Sequence, residues 1–61
     1  MRRQAVIDGR EKKGLTQAQI ANKIGISVVS YNKFENGKVG LKEVNLKKLA
    51  GILGIYDIRK F

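Results

Sequence analysis

The sequence contains no cysteine and no histidine, which excludes disulfides, zinc sites of the usual Cys/His kind and histidine-based acid or base catalysis. Acidic residues are scarce as well. Asp8, Glu11, Glu35, Glu43 and Asp57 are the only five, and no nucleophile–base set can be assembled around them. The chain therefore reads as a non-enzyme that needs no metal and no cofactor. The longest nearly apolar run, Leu49 to Tyr56, is too short and too broken by glycine to span a bilayer, and the N-terminus lacks the apolar stretch of a signal peptide. A cytoplasmic location with no membrane partner is the expectation. A length of 61 residues leaves room for one domain, residues 1–61, whose small core must supply the stability.

Positive charge is abundant. Thirteen Lys/Arg against five Asp/Glu give a formal net charge of +8 at pH 7, enough to attract a polyanion over roughly a Debye length. The excess lies in residues 1–13 (Arg2, Arg3, Arg10, Lys12, Lys13) and from Lys38 onward (Lys38, Lys42, Lys47, Lys48, Arg59, Lys60), with a nearly neutral middle. Charge alone fits either a nucleic-acid partner or surface lysine kept for solubility.

Periodicity and punctuation predict an all-α fold, a compact bundle of four to five short helices. The first covers residues 2–13, free of proline, with Met1, Ala5, Val6 and Ile7 as apolar content, Lys12 and Lys13 at its cationic end and Gly14 as its stop. Gly9 inside it costs about 1 kcal/mol relative to Ala. Thr16 and Gln19 have capping-box spacing and open a second helix, residues 16–24, with an Ile20, Ala21, Ile24 stripe. Gly25 ends it, and Ser27 caps a third helix, residues 27–35, so the turn between the two is tight. At about 100° per residue, Ser27, Ser30, Tyr31 and Phe34 share one side of that helix and Val28, Val29, Asn32 and Lys33 the other. The aromatic side carries far more apolar area and takes the core, which leaves both valines outside, free to meet thymine methyl groups; the alternative is that Val29 covers the core edge between the second and third helices. Asn36-Gly37 closes the helix. A connector pinned by Leu41 and Val44 leads to a fourth helix, residues 45–53, with a Leu46, Leu49, Ala50, Leu53 stripe and Gly54 as its stop. The tail, residues 55–61, holds Ile55, Tyr56, Ile58 and Phe61 and is expected to dock on that stripe, either to complete the core or to form part of a homodimer contact.

A short helix, a tight glycine turn and a helix with a small, polar outer face form a helix-turn-helix, in which the second of the two helices enters the DNA major groove. The segments G-L-T-Q-A-Q-I-A-N-K-I-G-I-S, S-Y and F-E-N-G-K closely resemble the helix-turn-helix domain of the Cro and lambda-repressor (XRE-like) family. The likeness runs from about Val6 to Ile55. It includes Leu15-Thr16-Gln17, Ala21, Gly25, Glu35-Asn36-Gly37, Leu49-Ala50 and Leu53-Gly54 in register.

That resemblance implies that Gln17 meets a phosphate and a base edge, and that Ser27, Val28, Val29, Asn32 and Lys33 form the face that contacts bases. It further implies phosphate contacts from Asn36, Gly37 and Lys38, and an ion pair between Arg10 and Glu35 that supports the fold without touching DNA. The sequence departs from the family at Gly9, where leucine is usual, and at Leu41, where proline commonly follows the Asn-Gly turn. The reading helix also lacks the arginine or glutamine that often reads guanine or adenine, so A·T-rich contacts are favoured.

The leading reading is a sequence-specific double-stranded DNA-binding transcriptional regulator, a repressor of phage or mobile-element type acting as a homodimer on its operator. An antitoxin-like protein that neutralises a toxin partner and regulates its own synthesis is the alternative. A basic RNA-binding module is disfavoured, because single-stranded recognition needs exposed aromatic platforms and Tyr31 and Phe34 are expected to face inward.

Overall fold

In the computed structural model, residues 2–54 are described and contain four α-helices: α1 (Gln4–Lys12), α2 (Gln17–Ile24), α3 (Val28–Glu35) and α4 (Glu43–Leu53). The tail, with its expected docking and dimer contact, lies outside the described residues.

Helix starts differ in how they are secured. At α2 the capping box forms in full: Gln19 N–H donates to Thr16 Oγ1 at 3.1 Å, and Thr16 N–H donates to Gln19 Oε1 at 2.8 Å. At α3, Ser27 Oγ accepts from the Ser30 N–H at 3.1 Å. Helices α1 and α4 have no side-chain cap. Tertiary contacts compensate at α1, where Arg3 N–H donates to the Glu35 carbonyl at 2.7 Å. The helix then continues unbroken through Gly9.

Helices α2 and α3 end on the same device. Behind α2, the Ile26 N–H bonds the Ala21 carbonyl at 3.0 Å and the Gly25 N–H the Asn22 carbonyl at 3.3 Å; behind α3, Lys38 bonds Lys33 at 2.9 Å and Gly37 bonds Phe34 at 3.0 Å. These are Schellman closures. They need a left-handed residue, supplied by Gly25 at φ +83° and Gly37 at φ +77°. Only three residues then separate α2 from α3, which fixes the sharp angle between them.

Val6, Ile20, Ala21, Ile24, Tyr31, Phe34, Leu49 and Leu53 form one buried cluster, with Leu15, Ile26, Leu41, Leu46 and Ile52 around its rim. Helix α2 packs chiefly on α3 and also on α4, while α1 lies across α3 and α4. The Tyr31 and Phe34 rings sit 6.1 Å apart at a tilt of 44°, so α3 is held to the core by its two largest side chains.

Two expectations are corrected. Helix α4 starts at Glu43, two residues before residue 45, because Glu43 suits the positive end of the helix dipole and pairs with Lys47 one turn on, at 3.5 Å. Val44 does not pin the connector, since it lies on the solvent side of that added turn and is 58% exposed. In addition, Ser27 and Ser30 are exposed although they lie towards the aromatic side of α3.

Candidate nucleic-acid interface

The tight α2–α3 turn places the start of α2 beside the outer face of α3. Val28, Val29, Asn32 and Lys33 are all exposed on that face, with Ser27 at its leading end and Lys38 just past its trailing end; Gln17, Asn36 and Gly37 are half-buried. Val28 is 44% exposed and Val29 62% exposed. Neither valine covers the core edge. The face is therefore apolar at its start, amide-bearing in the middle and cationic towards its end.

Beneath it lies a buried charge. Glu35 is 2% exposed, and its carboxylate accepts from Arg10 Nε at 2.6 Å and from Arg10 Nη2 at 3.3 Å. Arg10 Nη1 also donates to the Leu15 carbonyl at 2.8 Å, which ties α1 to the loop before α2. Burial disfavours the Glu35 carboxylate, but the Arg10 hydrogen bonds, with Tyr31 and Gln17 alongside, outweigh it and hold the group below its usual range. Its bonds to Glu35 in turn raise the Arg10 guanidinium. The Tyr31 hydroxyl is buried without a hydrogen bond of acceptable geometry. Burial first, and then the neighbouring Glu35 carboxylate, push its ionisation upward.

The polar chain reaches the surface from there. Gln17 Nε2 donates to Glu35 Oε1 at 2.8 Å, Asn32 Nδ2 donates to Gln17 Oε1 at 3.1 Å, and Asn36 Nδ2 donates to Asn32 Oδ1 at 3.2 Å. Five side chains from α1, α2, α3 and its cap thus form one continuous series from core to outer face. The structure brings Gln17, Asn32 and Asn36 together; the Ser27 side chain instead bonds Ser30, its Oγ donating to Ser30 Oγ at 3.0 Å and accepting from the Ser30 N–H at 3.1 Å.

The sequence holds no histidine or cysteine, no cluster of acidic side chains suited to a metal ion occurs among the described residues, and the groups that the face presents are apolar, amide and cationic. The architecture is that of two short helices joined by a glycine turn, the second presented outward. A helix-turn-helix family model matches residues 7–61. The chain belongs to the XRE-like helix-turn-helix family.

The helix-turn-helix also resembles part of a Yarrowia lipolytica protein provisionally named multi-protein-binding factor 1, at 39% identity over 51 residues, covering 84% of this chain and 34% of the relative. The chain thus spans about a third of the length of that curated relative. No solved structure matches it. As an XRE-like domain it is a DNA-binding regulatory module, and no helix among its described residues is long and apolar enough to cross a membrane.

Sequence reasoning missed two features of this site. Arg3 counted only as positive charge, yet its guanidinium carbon stacks 4.5 Å from the Phe34 ring centre and its Nη2 donates to the Val39 carbonyl at 3.0 Å. It clamps the chain just after α3 to the start of α1, with its Nε buried and unpaired. The other is the amide series. The i, i+4 spacing of Asn32 and Asn36 was its one readable sign, because nothing local reveals that Gln17 lies between Glu35 and Asn32.

Proposed function

We propose that this chain is a sequence-specific binder of double-stranded DNA that represses transcription, of the phage or mobile-element type, with α3 lying in the major groove. The observation that carries this reading is the exposed face of Val28, Val29, Asn32 and Lys33, backed by a hydrogen-bonded series running to a buried ion pair. Apolar and amide side chains on an α-helix that fits the groove suit base edges, and an underlying network fixes their placement. Gln17, Asn36, Gly37 and Lys38 flank that face and serve the phosphates, while Ser27, Val28, Val29, Asn32 and Lys33 address bases. A homodimer on the operator supplies the second half-site that a module of this size needs for specificity.

The expected result of a competition experiment follows. Labelled duplex DNA should be displaced by unlabelled duplex far better than by single-stranded RNA at equal phosphate concentration. Better displacement by RNA sinks the reading.

One observation favours a second reading. The matched relative is named a multi-protein-binding factor, and the stretch that resembles this chain is about a third of its length. A regulator that also holds a protein partner, a toxin in the antitoxin version, fits that likeness. Co-purification with the product of the neighbouring reading frame is the test, and failure to co-purify removes the toxin version.

A further inference from the structure

We infer that Glu35 sets the donor–acceptor sense of three successive amides, and that this sense makes adenine the base that Asn32 reads. The inference rests on the major-groove placement of α3 proposed above.

An amide side chain can usually be turned over, exchanging its carbonyl oxygen for its NH2 group, and the choice is set by its partners. Here the first partner allows no choice. An ionised carboxylate only accepts, and Glu35, bonded twice by Arg10, is the acceptor that Gln17 meets at 2.8 Å. Gln17 must therefore turn its NH2 group to Glu35, which leaves its Oε1 facing Asn32. Asn32 must then donate at 3.1 Å, which leaves its own Oδ1 to accept from Asn36 at 3.2 Å. One buried charge fixes three exposed or half-buried amides in sequence.

The consequence is a count of what remains. A primary amide has two N–H donors and two carbonyl lone pairs. Asn32 has committed one of each, so it can offer DNA one donor and one acceptor. In the major groove only adenine pairs an acceptor, N7, with a donor, the 6-amino group, on one base; guanine shows two acceptors, cytosine a donor, and thymine an acceptor and a methyl. Guanine would need the second Asn32 N–H, which Gln17 occupies. Gln17 and Asn36 each keep one spare N–H, suited to phosphate oxygens, which only accept. Adenine pairs with thymine, whose methyl suits the exposed Val28 and Val29 beside Asn32.

The test starts from the best duplex selected from random sequence by the full chain. Each adenine is replaced singly by 7-deazaadenine, which lacks the N7 acceptor, or by 2-aminopurine, which lacks the 6-amino donor. At one position per half-site both analogues should weaken binding, together spanning about 5- to 100-fold. At that position the A·T pair is next replaced by guanine paired with 5-methylcytosine, which retains the pyrimidine methyl and changes the purine edge. Gln17→Met, which releases the second Asn32 donor, should shrink the guanine penalty by about 3- to 10-fold. Absolute affinity falls too, through the lost phosphate contact, so the ratio between the two duplexes is the readout. Gln17→Lys, which donates to Glu35 but cannot accept from Asn32, should shrink the ratio equally and serves if Gln17→Met does not fold. An unchanged guanine penalty in a folded variant, or a selected duplex indifferent to both analogues, overturns the inference and leaves the major-groove reading standing. A chain that selects no duplex overturns both.

Discussion

The Gln17 amide stands between the buried Glu35 carboxylate and the exposed Asn32 amide, donating to the first at 2.8 Å and accepting from the second at 3.1 Å. Whatever disturbs Glu35 therefore acts on fold and surface together. Glu35→Gln strands the Arg10 guanidinium, and Arg10→Met strands the carboxylate, each at an expected cost of about 3 kcal/mol. That is a large part of the stability of so small a domain. Thermal melting by circular dichroism measures it, and a melting temperature equal to the parent's for both variants contradicts a stabilising role for the pair.

Acid titration probes the same carboxylate. Arg10 holds Glu35 below the usual value of 4.5 in spite of burial, so the folded protein takes up this proton less readily than the unfolded chain. The stability it contributes is present above about pH 4.5 and is lost as pH falls through the lowered folded value. Melting temperature should drop along that acid limb, and less steeply in Glu35→Gln, which has no proton to bind. Parallel acid limbs in parent and variant contradict the assignment.

The alkaline limb belongs to Tyr31. Burial and the adjacent carboxylate raise its ionisation above the usual 10.0, so the unfolded chain loses this proton first. The stability involved is present below about pH 10 and is lost as pH rises through the folded value. Lysines titrate nearby, so the informative quantity is a difference: Tyr31→Phe should show a shallower decline above pH 10 than the parent. An equal or steeper decline counts against it.

Much of this was legible in the sequence, for reasons that differ from element to element. Thr16 with Gln19, Ser27, Gly25 and Gly37 act locally, through caps and left-handed stops, so their spacing was enough to mark the middle two helices. The aromatic side of α3 was readable because Tyr31 and Phe34 outweigh two valines in apolar area. The start of α4 was not, because it has no capping side chain, and the Glu43–Lys47 pair across its first turn is exposed and weak. In the candidate site, the outward residues followed from helical period. Their partners did not, since the Gln17–Glu35 bond and the Arg3–Phe34 stack join residues distant in sequence.

The exposed valines give a prediction on the DNA side. Replacing operator thymines singly by uracil removes only the C5-methyl, and a loss of about 0.5–1.5 kcal/mol is expected at one or two positions per half-site. Val28→Ala should erase that penalty at its position. If every thymine-to-uracil change is neutral in equilibrium binding, the valines do not read methyl groups.

Salt dependence tests the proposed phosphate contacts. Neutralising roughly 3–5 phosphates per subunit contributes about −2.7 to −4.5 per bound subunit to the log–log slope of affinity against salt. Lys38→Ala should reduce the steepness of the slope by about one per bound subunit and weaken specific and non-specific duplexes alike, whereas Asn32→Ala should mainly reduce the difference between them. A parent slope shallower than about −2 does not fit.

Selection of bound sites from a random duplex library tests the central claim most directly. If α3 reads the major groove from a symmetric pair of subunits, the library should converge on a palindrome of A·T-rich half-sites with centres about one helical turn, 34–36 Å, apart. Convergence should be lost in an Asn32→Ala, Val28→Ala double variant that still melts cooperatively. A library that stays random with the folded parent, or that converges equally well with the double variant, contradicts the assignment of this face to DNA.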